Sequence, residues 1–335
     1  MISERITFID TIPERKSEVQ NFIAEWYSTS DVIHTKTSGS TGEAKIISLE
    51  KSKMIISAKK TLLFLGLKKG DTALLCLPVS TIAGKMMIVR AIVGELNLLI
   101  GPIDSNPLKH IDAKIDFVAM VPLQFQNCIE NNSNKLKAIK AIIVGGGPIS
   151  SKLEKQTISS NVKAFQTYGM TETISHVALR EIGNKVDSLY HALDGITFNE
   201  KNEQLIIHYP EIGIVDLQTT DLVKLSSSKS FEWIGRADYI INVGGIKLNP
   251  EEIEAVLSEY IADPFIISSI KDDKLGEKII LIIEGDKVVN IDETVLLEKL
   301  TKFAIPKSIY YLPAFSRTLS GKINRIETLK LLHTN

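Results

Sequence analysis

The sequence predicts an α/β protein: a large N-terminal domain with mostly parallel sheets and helices plus a small β-rich subdomain, then a small α+β C-terminal domain. Up to about residue 180, short apolar runs alternate with segments of helical period, which is typical of β–α–β units. From about 190 to 236 the helical period disappears, and a new helical pattern starts after residue 249. We therefore expect domains at 1–237 and 238–335, with the β-rich subdomain at about 190–237.

Five apolar runs in the first half predict buried strands, and four segments between them predict helices. The strands are expected at TALLCLP, LNLLIG, IDFVAM, KAIIVGGG and VKAFQTYG. The helices are expected at KSKMIISAKKTLLFLG, AGKMMIVRAIVG, PLQFQNCIENN and SSKLEKQTISS. Strands that alternate with helices form parallel sheets, so these elements predict the main sheet.

The second half of the chain predicts two hairpins and then a small α+β unit. GITFNEKNEQLIIHYP and DLVKLSSSKSFEWIGR are each typical of a β-hairpin. Asn249 suits the N-cap of the next helix, Pro250 suits its first position, and Glu252 lies three residues after the cap, as in a capping box. Strands at PFIISSIK and KIILIIEG, a helix at DETVLLEKLTKFA and a tail rich in Gly, Arg and Lys follow.

Composition argues against nucleic acid and membranes as partners. The 335 residues contain 39 Lys and Arg against 40 Asp and Glu, so the net charge of −1 gives no bulk attraction to polyanions. The N-terminus has no apolar signal segment, and the run MMIVRAIVGELNLLI is too short and too charged to span a bilayer. Cys76 and Cys128 lie in apolar surroundings and are expected to be buried free thiols. We predict a cytoplasmic protein.

The segment KTSGSTGEAK, residues 36–45, is a candidate phosphate-binding loop. It fails the pattern G-x-x-x-x-G-K-[ST], because Ala44 stands where the second glycine belongs. The glycines at 145–147 fail G-x-G-x-x-G at Ser150. What remains is G-x-x-G-x-x-K with hydroxyls, a set of amides, hydroxyls and one lysine that suits an anion. A flexible surface turn explains the same letters, so this segment alone leaves both interpretations open.

Four further segments follow the loop in order: TYGMTET (167–173), TTDLVKL (219–225), WIGRADYIINVGGIKLNPEEIE (233–254) and SRTLSGKINR (316–325). With the loop, this ordered set resembles the motifs of the adenylate-forming superfamily of acyl-CoA synthetases, roughly TSGTTGxPK, YGxTE, TGD, GRxDxxIKxxGxxIxPxEIE and a late GK. The resemblance covers most of the chain. It implies that a small-molecule carboxylic acid reacts with ATP and Mg²⁺ to give an acyl-adenylate and pyrophosphate, and that coenzyme A then displaces AMP.

The resemblance also implies roles for residues of the nucleotide site. Lys322 would bridge the carboxylate and the α-phosphate, Thr171 would donate to the α-phosphate, and Glu172 would bind Mg²⁺. Tyr168 would stack on adenine, and Asp221 would accept hydrogen bonds from the ribose. A solvated tail lysine and a buried strand-end tyrosine are the alternatives for Lys322 and Tyr168. The other implied ATP-binding residues are Thr37, Ser38, Gly39, Ser40, Thr41, Gly42, Lys45, Gly145, Gly146, Gly147, Gly169 and Arg236.

The resemblance implies that the C-terminal domain is mobile. Asp238 matches the family's hinge, although a surface-loop aspartate is the alternative. Rotation about it would bring Lys322 in for adenylation and remove it for thioester formation. Gly244, Gly245 and Lys247 would then line the coenzyme A tunnel.

The acid is expected near the segment LPVSTIAGKMMIVRAIV, at Ser80, Thr81, Lys85 and Arg90. The segment LPVSTIAGKMM has no aspartate to hold an amino acid's ammonium group, and a short N-terminal domain has little room for a long fatty acid. Both points favour a compact aromatic acid. Lys85 and Arg90 are five residues apart, or about 140° around a helix, so they cannot both face one pocket.

We expect Arg90 to hold a second carboxylate of the acid in a bidentate pair, although a surface cation is the alternative. An aryl- or short-chain acyl-CoA synthetase and a non-catalytic nucleotide-binding homologue both stay open.

The chain departs from the family pattern in four places. Only 36 residues precede Thr37, so we expect a trimmed subdomain and a sheet edge compatible with a homodimer. Ala44 replaces the common proline of the loop. Thr220 replaces the glycine of TGD, which requires a negative φ at that position. The segment LPVSTIAG lacks the aromatic–His pair often seen in acyl-CoA ligases.

Overall fold

The structure is a computed structural model that describes residues 2–9, 12–36, 46–184, 186–261, 263–286, 293–318 and 323–332. Within these ranges the strands form three sheets, of twelve, five and two strands. The α-helices of the described residues are α1 (Pro13–Trp26), α2 (Lys51–Phe64), α3 (Ile82–Val93), α4 (Pro122–Ala138), α5 (Ser151–Ser159), α6 (Pro250–Leu257), α7 (Glu293–Leu297) and α8 (Arg325–Leu331).

The described strands fall into three groups along the chain. The first nine are β1 (Ile6–Phe8), β2 (Val32–Lys36), β3 (Ile46–Glu50), β4 (Thr72–Leu75), β5 (Asn97–Ile100), β6 (Phe117–Met120), β7 (Ala141–Val144), β8 (Phe165–Gly169) and β9 (His176–Glu181). The next five are β10 (Tyr190–Ala192), β11 (Thr197–Lys201), β12 (Gln204–Tyr209), β13 (Ile214–Ser227) and β14 (Ser230–Arg236). The last five are β15 (Ile241–Val243), β16 (Ile246–Leu248), β17 (Phe265–Asp272), β18 (Gly276–Glu284) and β19 (Ser308–Leu312).

The main sheet is parallel in one half and antiparallel in the other. Its order is β1-β5-β4-β6-β7-β8-β9-β10-β14-β13-β12-β11. The pairs from β1 through β8 are parallel, and β8 pairs with β9 in the antiparallel sense. Chain order reverses at β4, which has β5 on one side and β6 on the other. In such sheets ligands bind outside the carboxyl ends of the strands, near the reversal.

Helices cover both faces of the parallel half. Ala73 and Leu75 of β4 join the apolar core that includes residues of α1, α2 and α3, whereas Leu74 joins the core formed with α4 and α5. The alternation follows from the period of two residues in a strand. Helix α3 is buried at every residue from Gly84 to Ala91. Its two cations, Lys85 and Arg90, are therefore buried as well.

The predicted elements of the first half are confirmed, as α2 to α5 and β4 to β8. The two predicted hairpins are confirmed as β11–β12 and β13–β14. Their sheet was not anticipated: through β9 and β10 these strands extend the main sheet instead of forming a sheet of their own. Cys76 and Cys128 are buried and free, as predicted.

The C-terminal part differs from the prediction in three details. Asn249 caps α6 by accepting from the Glu251 backbone N–H at 3.0 Å, as predicted. The predicted capping box is wrong, because no bond from the Glu252 side chain back to the Asn249 backbone is present among the described contacts. Helix α7 is only five residues long within the predicted thirteen-residue segment, of which part lies outside the described residues. Strand β19 and helix α8 were not predicted.

A sheet of five strands and helix α6 form the C-terminal unit. The sheet has the order β16-β15-β18-β17, with β19 parallel to β18. Ile253 and Leu257 of α6 pack on apolar residues of β17 and β18 such as Ile267 and Ile279. Within the described ranges, none of the helices combines the length and apolar character that crossing a bilayer requires.

Candidate nucleotide and acid site

The glycine turn after β7 lies against the start of the TYGMTET segment. The Gly145 N–H donates to the Met120 carbonyl at the end of β6, at 3.0 Å. A Cβ at Gly145 would lie 2.4 Å from Thr167 Oγ1, so a larger residue would require the Thr167 side chain to move. Gly146 has φ of 87°, in the region that favours glycine. The turn therefore brings backbone close to the carboxyl end of β8, beside Tyr168.

Tyr168 and Asp221 are hydrogen-bonded to each other. The Tyr168 hydroxyl donates to Asp221 Oδ2 at 2.7 Å, and Trp233 Nε1 donates to Asp221 Oδ1 at 3.2 Å. Burial raises the pKa of the Tyr168 phenol well above its usual value, and the neighbouring Asp221 carboxylate raises that pKa further. The phenol therefore stays protonated and acts as the donor. The structure thus joins two residues that lie 53 positions apart in the sequence.

The Tyr168 ring belongs to an aromatic cluster. It meets Phe231 edge to face, with centroids 5.1 Å apart, and Tyr190 with centroids 5.8 Å apart. Tyr190 and Phe231 stack at 5.4 Å. Aromatic pairs of these geometries stabilise the arrangement beyond the area they bury. The cluster holds the ring at the strand end, and the stacking of adenine on the ring stays a prediction.

Arg236 lies opposite Asp221 in the β13–β14 pair. Its Nη2 donates to Thr220 Oγ1 and to Asp238 Oδ2, each at 2.7 Å, and its guanidinium lies 5.5 Å from the centre of the Tyr239 ring. Asp238, the expected hinge residue, is thus hydrogen-bonded to Arg236, the arginine expected at the nucleotide site. Thr220, which stands where the family motif has glycine, does not have a positive φ, so its backbone conformation is one that threonine adopts without strain.

Thr171 and Glu172 stand on a turn that Thr173 fixes. The buried Thr173 hydroxyl accepts from the Met170 N–H at 3.0 Å and donates to the Ser175 carbonyl at 2.8 Å. Glu172 is exposed, and Thr171 is partly exposed. Within the described part of the chain no ion pair occupies the Glu172 carboxylate, so it is available to a ligand.

Arg90 connects helix α3 to this turn. It is 2% exposed, and its Nη2 donates to the Ser175 hydroxyl at 2.6 Å, three residues after Glu172. Its Nε has no hydrogen-bond partner, and no carboxylate pairs with it, among the residues that the structure describes. Burial lowers the pKa of the Arg90 guanidinium to about 9, so the group is charged at neutral pH. Buried cations normally have an anion beside them.

Lys85 faces a different neighbour. Its Nζ lies 4.6 Å from the centre of the Phe22 ring of α1, while Arg90 contacts Ser175. Burial lowers the pKa of the Lys85 ammonium, and the Glu25 carboxylate opposes this shift. The two cations thus point to different surroundings, as their separation around the helix predicts.

Ser80 and Thr81 precede α3. Ser80 is exposed, and Thr81 is the helix N-cap. The Thr81 hydroxyl accepts from the Gly84 N–H at 3.2 Å and donates to the Pro78 carbonyl at 2.8 Å. The hydroxyl hydrogen of Thr81 is thus already donated to the Pro78 carbonyl. Thr81 therefore has a structural role as the cap of α3, and contact with an acid stays a prediction.

Gly244 and Gly245 form the two-residue turn between β15 and β16. Their φ angles are 58° and 88°, and a hairpin turn with positive φ at both central residues favours glycine. Gly245 N–H donates to the Asn242 side chain at 3.0 Å, and Lys247 is exposed on β16. A backbone reason therefore explains both glycines, and contact with coenzyme A stays a prediction.

Part of the expected site lies outside the described residues. This holds for Lys322 and for the loop residues Thr37, Ser38, Gly39, Ser40, Thr41, Gly42, Ala44 and Lys45. Their flanks are described: β2 and β3 pair in the antiparallel sense, with Lys36 opposite Ile46. The candidate loop therefore connects two strands that pair with each other.

Sequence reasoning missed three residues that the structure places beside the predicted site residues. Trp233 bonds Asp221, Ser175 bonds Arg90, and the buried His176 lies beside both Ser175 and Thr61. Only His176 carried a signal, since it opens an apolar strand where an unpartnered imidazole would be costly.

Comparisons with known proteins give a consistent result. The model of the family described as AMP-binding enzyme matches residues 32–199. A solved acyl-CoA synthetase (AMP-forming)/AMP-acid ligase II-like protein from Dyadobacter fermentans is 33% identical, covers 96% of this chain and 95% of its own, and superposes with a TM-score of 0.63.

Two longer proteins are also similar. The 2-succinylbenzoate–CoA ligase of Bacillus mycoides is 24% identical, over 97% of this chain and 75% of its own. The o-succinylbenzoate coenzyme A synthetase of Bacillus subtilis, solved with ATP and a magnesium ion, is 21% identical, over 88% of this chain and 69% of its own, with a TM-score of 0.77. At 21% identity, the similarity to the Bacillus subtilis structure shows a shared fold.

Proposed function

This chain belongs to the AMP-binding enzyme family and is an AMP-forming acid–CoA ligase, and we propose that its acid is o-succinylbenzoate, an intermediate of menaquinone synthesis. The reaction would give o-succinylbenzoyl-adenylate and pyrophosphate from ATP, then the coenzyme A thioester and AMP. The names of the Bacillus relatives support the choice of acid. Arg90 of helix α3 supports the same choice of acid independently.

The observation that carries this proposal is the unpaired charge of Arg90. A buried guanidinium with no carboxylate beside it among the described residues costs several kcal/mol unless a ligand supplies the anion. A monocarboxylic acid uses its one carboxylate in the reaction. An acid with a second carboxylate can react through one group and bind Arg90 through the other, and o-succinylbenzoate has two.

The chemical difficulty is repulsion between two anions. Two unit charges about 4 Å apart repel by roughly 4 kcal/mol at an effective dielectric constant of about 20. Cations placed where charge develops offset this cost. We assign Lys322 to the reacting carboxylate and α-phosphate, and Lys45 with the loop amides and hydroxyls to the β- and γ-phosphates. Thr171 would donate to the α-phosphate.

The nucleoside would bind at the carboxyl ends of β7 and β8. Asp221 already accepts two hydrogen bonds, from Tyr168 and Trp233, so its oxygens are oriented for ribose hydroxyls before ATP arrives. Gly145 to Gly147 give backbone access to the adenine edge, and Arg236 stands opposite Asp221. Gly169 ends β8 and is exposed there.

The Glu172 carboxylate fits a magnesium ion. It is exposed, free of an ion pair within the described ranges, and placed on the turn that also carries Thr171. Magnesium is commonly held by one or two carboxylates together with substrate phosphates and waters. When bound, the ion would neutralise charge on the phosphates. This chain would place the carboxylate, because the Thr173 hydrogen bonds fix the backbone of the turn from which Glu172 projects.

Pyrophosphate release tests the substrate directly. The full chain is incubated with ATP, Mg²⁺ and one acid at a time, either o-succinylbenzoate, benzoate or a short fatty acid, with and without coenzyme A. We expect fastest release with o-succinylbenzoate and thioester only with coenzyme A. Preference for benzoate or a short fatty acid would replace the proposed acid. ATP binding without pyrophosphate release from any acid would identify a nucleotide-binding homologue.

Variants of the two helix cations test the role of Arg90. We expect Arg90→Leu to raise the KM for o-succinylbenzoate about 10- to 100-fold, the loss of a charge-assisted hydrogen bond worth about 1.5–3 kcal/mol. The KM for benzoate should change little in the same variant. Lys85→Met is the matched control, because Lys85 points toward Phe22. A larger effect from Lys85→Met than from Arg90→Leu would reverse the assignment.

A further inference from the structure

A chain of buried hydrogen bonds runs from Arg90 into the protein interior. Arg90 Nη2 contacts the Ser175 hydroxyl at 2.6 Å, and that hydroxyl lies 3.4 Å from His176 Nδ1. His176 Nε2 lies 3.1 Å from the Thr61 hydroxyl, which lies 3.2 Å from the Ser57 carbonyl. His176 is 6% exposed, and Thr61 is fully buried. Helix α3, the start of β9 and helix α2 are thus joined behind the acid site.

The direction of each bond follows from its two ends. The Ser57 carbonyl only accepts, so the Thr61 hydroxyl donates to it and can in turn accept from a protonated Nε2 of His176. Nδ1 then carries a lone pair and accepts from the Ser175 hydroxyl. The Ser175 oxygen keeps its lone pairs for Arg90, which can only donate. Every group of the chain then has a suitable partner with a single histidine tautomer.

Burial, together with the charge of Arg90, keeps this histidine neutral. Burial lowers the pKa of His176 well below 6.5, and the neighbouring Arg90 guanidinium lowers it further. The groups that face the imidazole are Arg90 from α3, Thr61 from α2 and the adjacent Ser175. An imidazolium would donate from both nitrogens and would leave the Ser175 hydroxyl without an acceptor. The neutral ring is therefore the form that orders Ser175.

We propose that His176, acting through Ser175, is a positioning residue that fixes the Arg90 guanidinium for the second carboxylate of the acid. The proposal rests on the proposed role of Arg90 in acid binding. The Ser175 hydroxyl, a neutral acceptor, holds one Nη atom of Arg90 and so fixes the direction of the remaining N–H groups. Because the acceptor is neutral, the guanidinium keeps its full positive charge for the acid. Holding the guanidinium in place removes an ordering cost at the moment of binding.

Steady-state kinetics on the full chain test the proposal. We expect His176→Leu to raise the KM for o-succinylbenzoate about tenfold, or about 1.4 kcal/mol, with kcat and the KM for benzoate nearly unchanged. His176→Gln, whose amide can both accept and donate, should restore most of the loss. A role only in stability would change both acids alike, and that outcome would overturn the proposal.

Threonine variants provide a matched comparison. Thr61 and Thr157 are both buried helix residues whose hydroxyls donate to the carbonyl four residues back, at 3.2 and 2.7 Å. Thr61→Val removes the acceptor for His176 and should raise the KM for o-succinylbenzoate. Thr157→Val removes a similar bond in α5 and should leave that KM unchanged. Equal effects of the two variants would overturn the proposal.

A nuclear magnetic resonance measurement does not depend on activity. The nitrogen shifts of His176 in the ¹⁵N-labelled protein at about pH 7 should show the neutral Nε2–H tautomer, and a protonated ring or the Nδ1–H tautomer would contradict the chain of bonds. If Arg90→Leu leaves the KM for o-succinylbenzoate unchanged, the proposed acid role of Arg90 fails. If Arg90→Leu raises that KM and His176→Leu does not, only the positioning role fails.

Discussion

At the scale of single residues, two buried or partly buried charges of the candidate site, Asp221 and Arg90, differ in whether they have partners. Asp221 accepts from Tyr168 and Trp233, and a carboxylate with two donors is stable when partly buried. Arg90 has a neutral oxygen as its nearest partner and no carboxylate within the described residues. Such an imbalance is tolerated where a ligand completes it. The geometry therefore distinguishes Asp221, whose charge has two described donors, from Arg90, whose charge has no described carboxylate and which we propose binds the acid.

Glu172 gives a residue-scale prediction about magnesium. We expect Glu172→Gln to raise the Mg²⁺ concentration needed for half-maximal ATP–pyrophosphate exchange by about tenfold or more, since the amide loses the charge that binds the ion. Thermal stability should not change, because the side chain is exposed. Glu232→Gln, an exposed carboxylate on β14, is the control. An unchanged Mg²⁺ requirement would remove Glu172 from the metal site.

At the scale of elements, the start of α6 ties the C-terminal unit to the main sheet. Asn249 caps the helix and also donates from Nδ2 to the Ile234 carbonyl of β14 at 3.0 Å. A Cβ at Gly235 would lie 2.5 Å from Asn249 Nδ2, so glycine makes room for this contact. Glu251, two residues after Asn249, is partly buried, and one of its carboxylate oxygens has no hydrogen-bond partner among the described atoms.

Glu251 gives an element-scale prediction about pH. Burial raises its pKa from 4.5 to about 7, against the opposing effect of Arg325, while Glu254 adds to the rise. A carboxyl with a raised pKa binds its proton more tightly in the folded state. The free energy of unfolding should therefore fall as pH rises from about 4.5 to about 7, and then level off.

Urea unfolding at several pH values measures this effect. Glu251→Gln should remove the fall and should be more stable than the parent above about pH 7, since no charge is then buried. Glu252→Gln is the matched control, because its side chain is exposed on the same helix turn. If both variants keep the parent's pH dependence, Glu251 does not cause it.

At the scale of the whole molecule, two arginines contact the ring of Tyr239, which lies next to the expected hinge residue Asp238. Tyr239 lies between Arg236, at 5.5 Å, and Arg325, at 5.0 Å from its ring centre. Arg325 also pairs with Glu254 of α6. Residues 238–335 moving as a unit would have to change the first of these contacts, which ties Arg236 of β14 to the ring. The strands β1 and β11 form the two edges of the main sheet, and a homodimer that covers a sheet edge stays a prediction.

Lys322 gives the prediction at this scale. We expect Lys322→Ala to abolish ATP–pyrophosphate exchange while sparing thioester formation from supplied acyl-adenylate, because the lysine would serve only the first half-reaction. Lys302→Ala, an exposed lysine elsewhere in the C-terminal part, should affect neither. Equal loss of both half-reactions in Lys322→Ala would contradict the division of labour.

Local pattern was enough to predict most elements. Apolar runs and helical period gave β4 to β8 and α2 to α5, because burial imposes these periods directly on the sequence. Asn249 with Pro250 gave the start of α6, because capping is a local interaction. Helix α8 and strand β19 were missed, since short elements depend on packing against β18 and α6 more than on their own residues.

The sequence alone determined the family, because its ordered motifs are local and each keeps its own spacing. It also determined the fold class and the pair of cations on α3. Only the tertiary structure decided that Arg90 is buried against Ser175, that His176 lies behind it and that Trp233 completes the partners of Asp221. These contacts join residues up to 85 positions apart, and such pairings follow from how the sheet and helices pack, which no local pattern encodes.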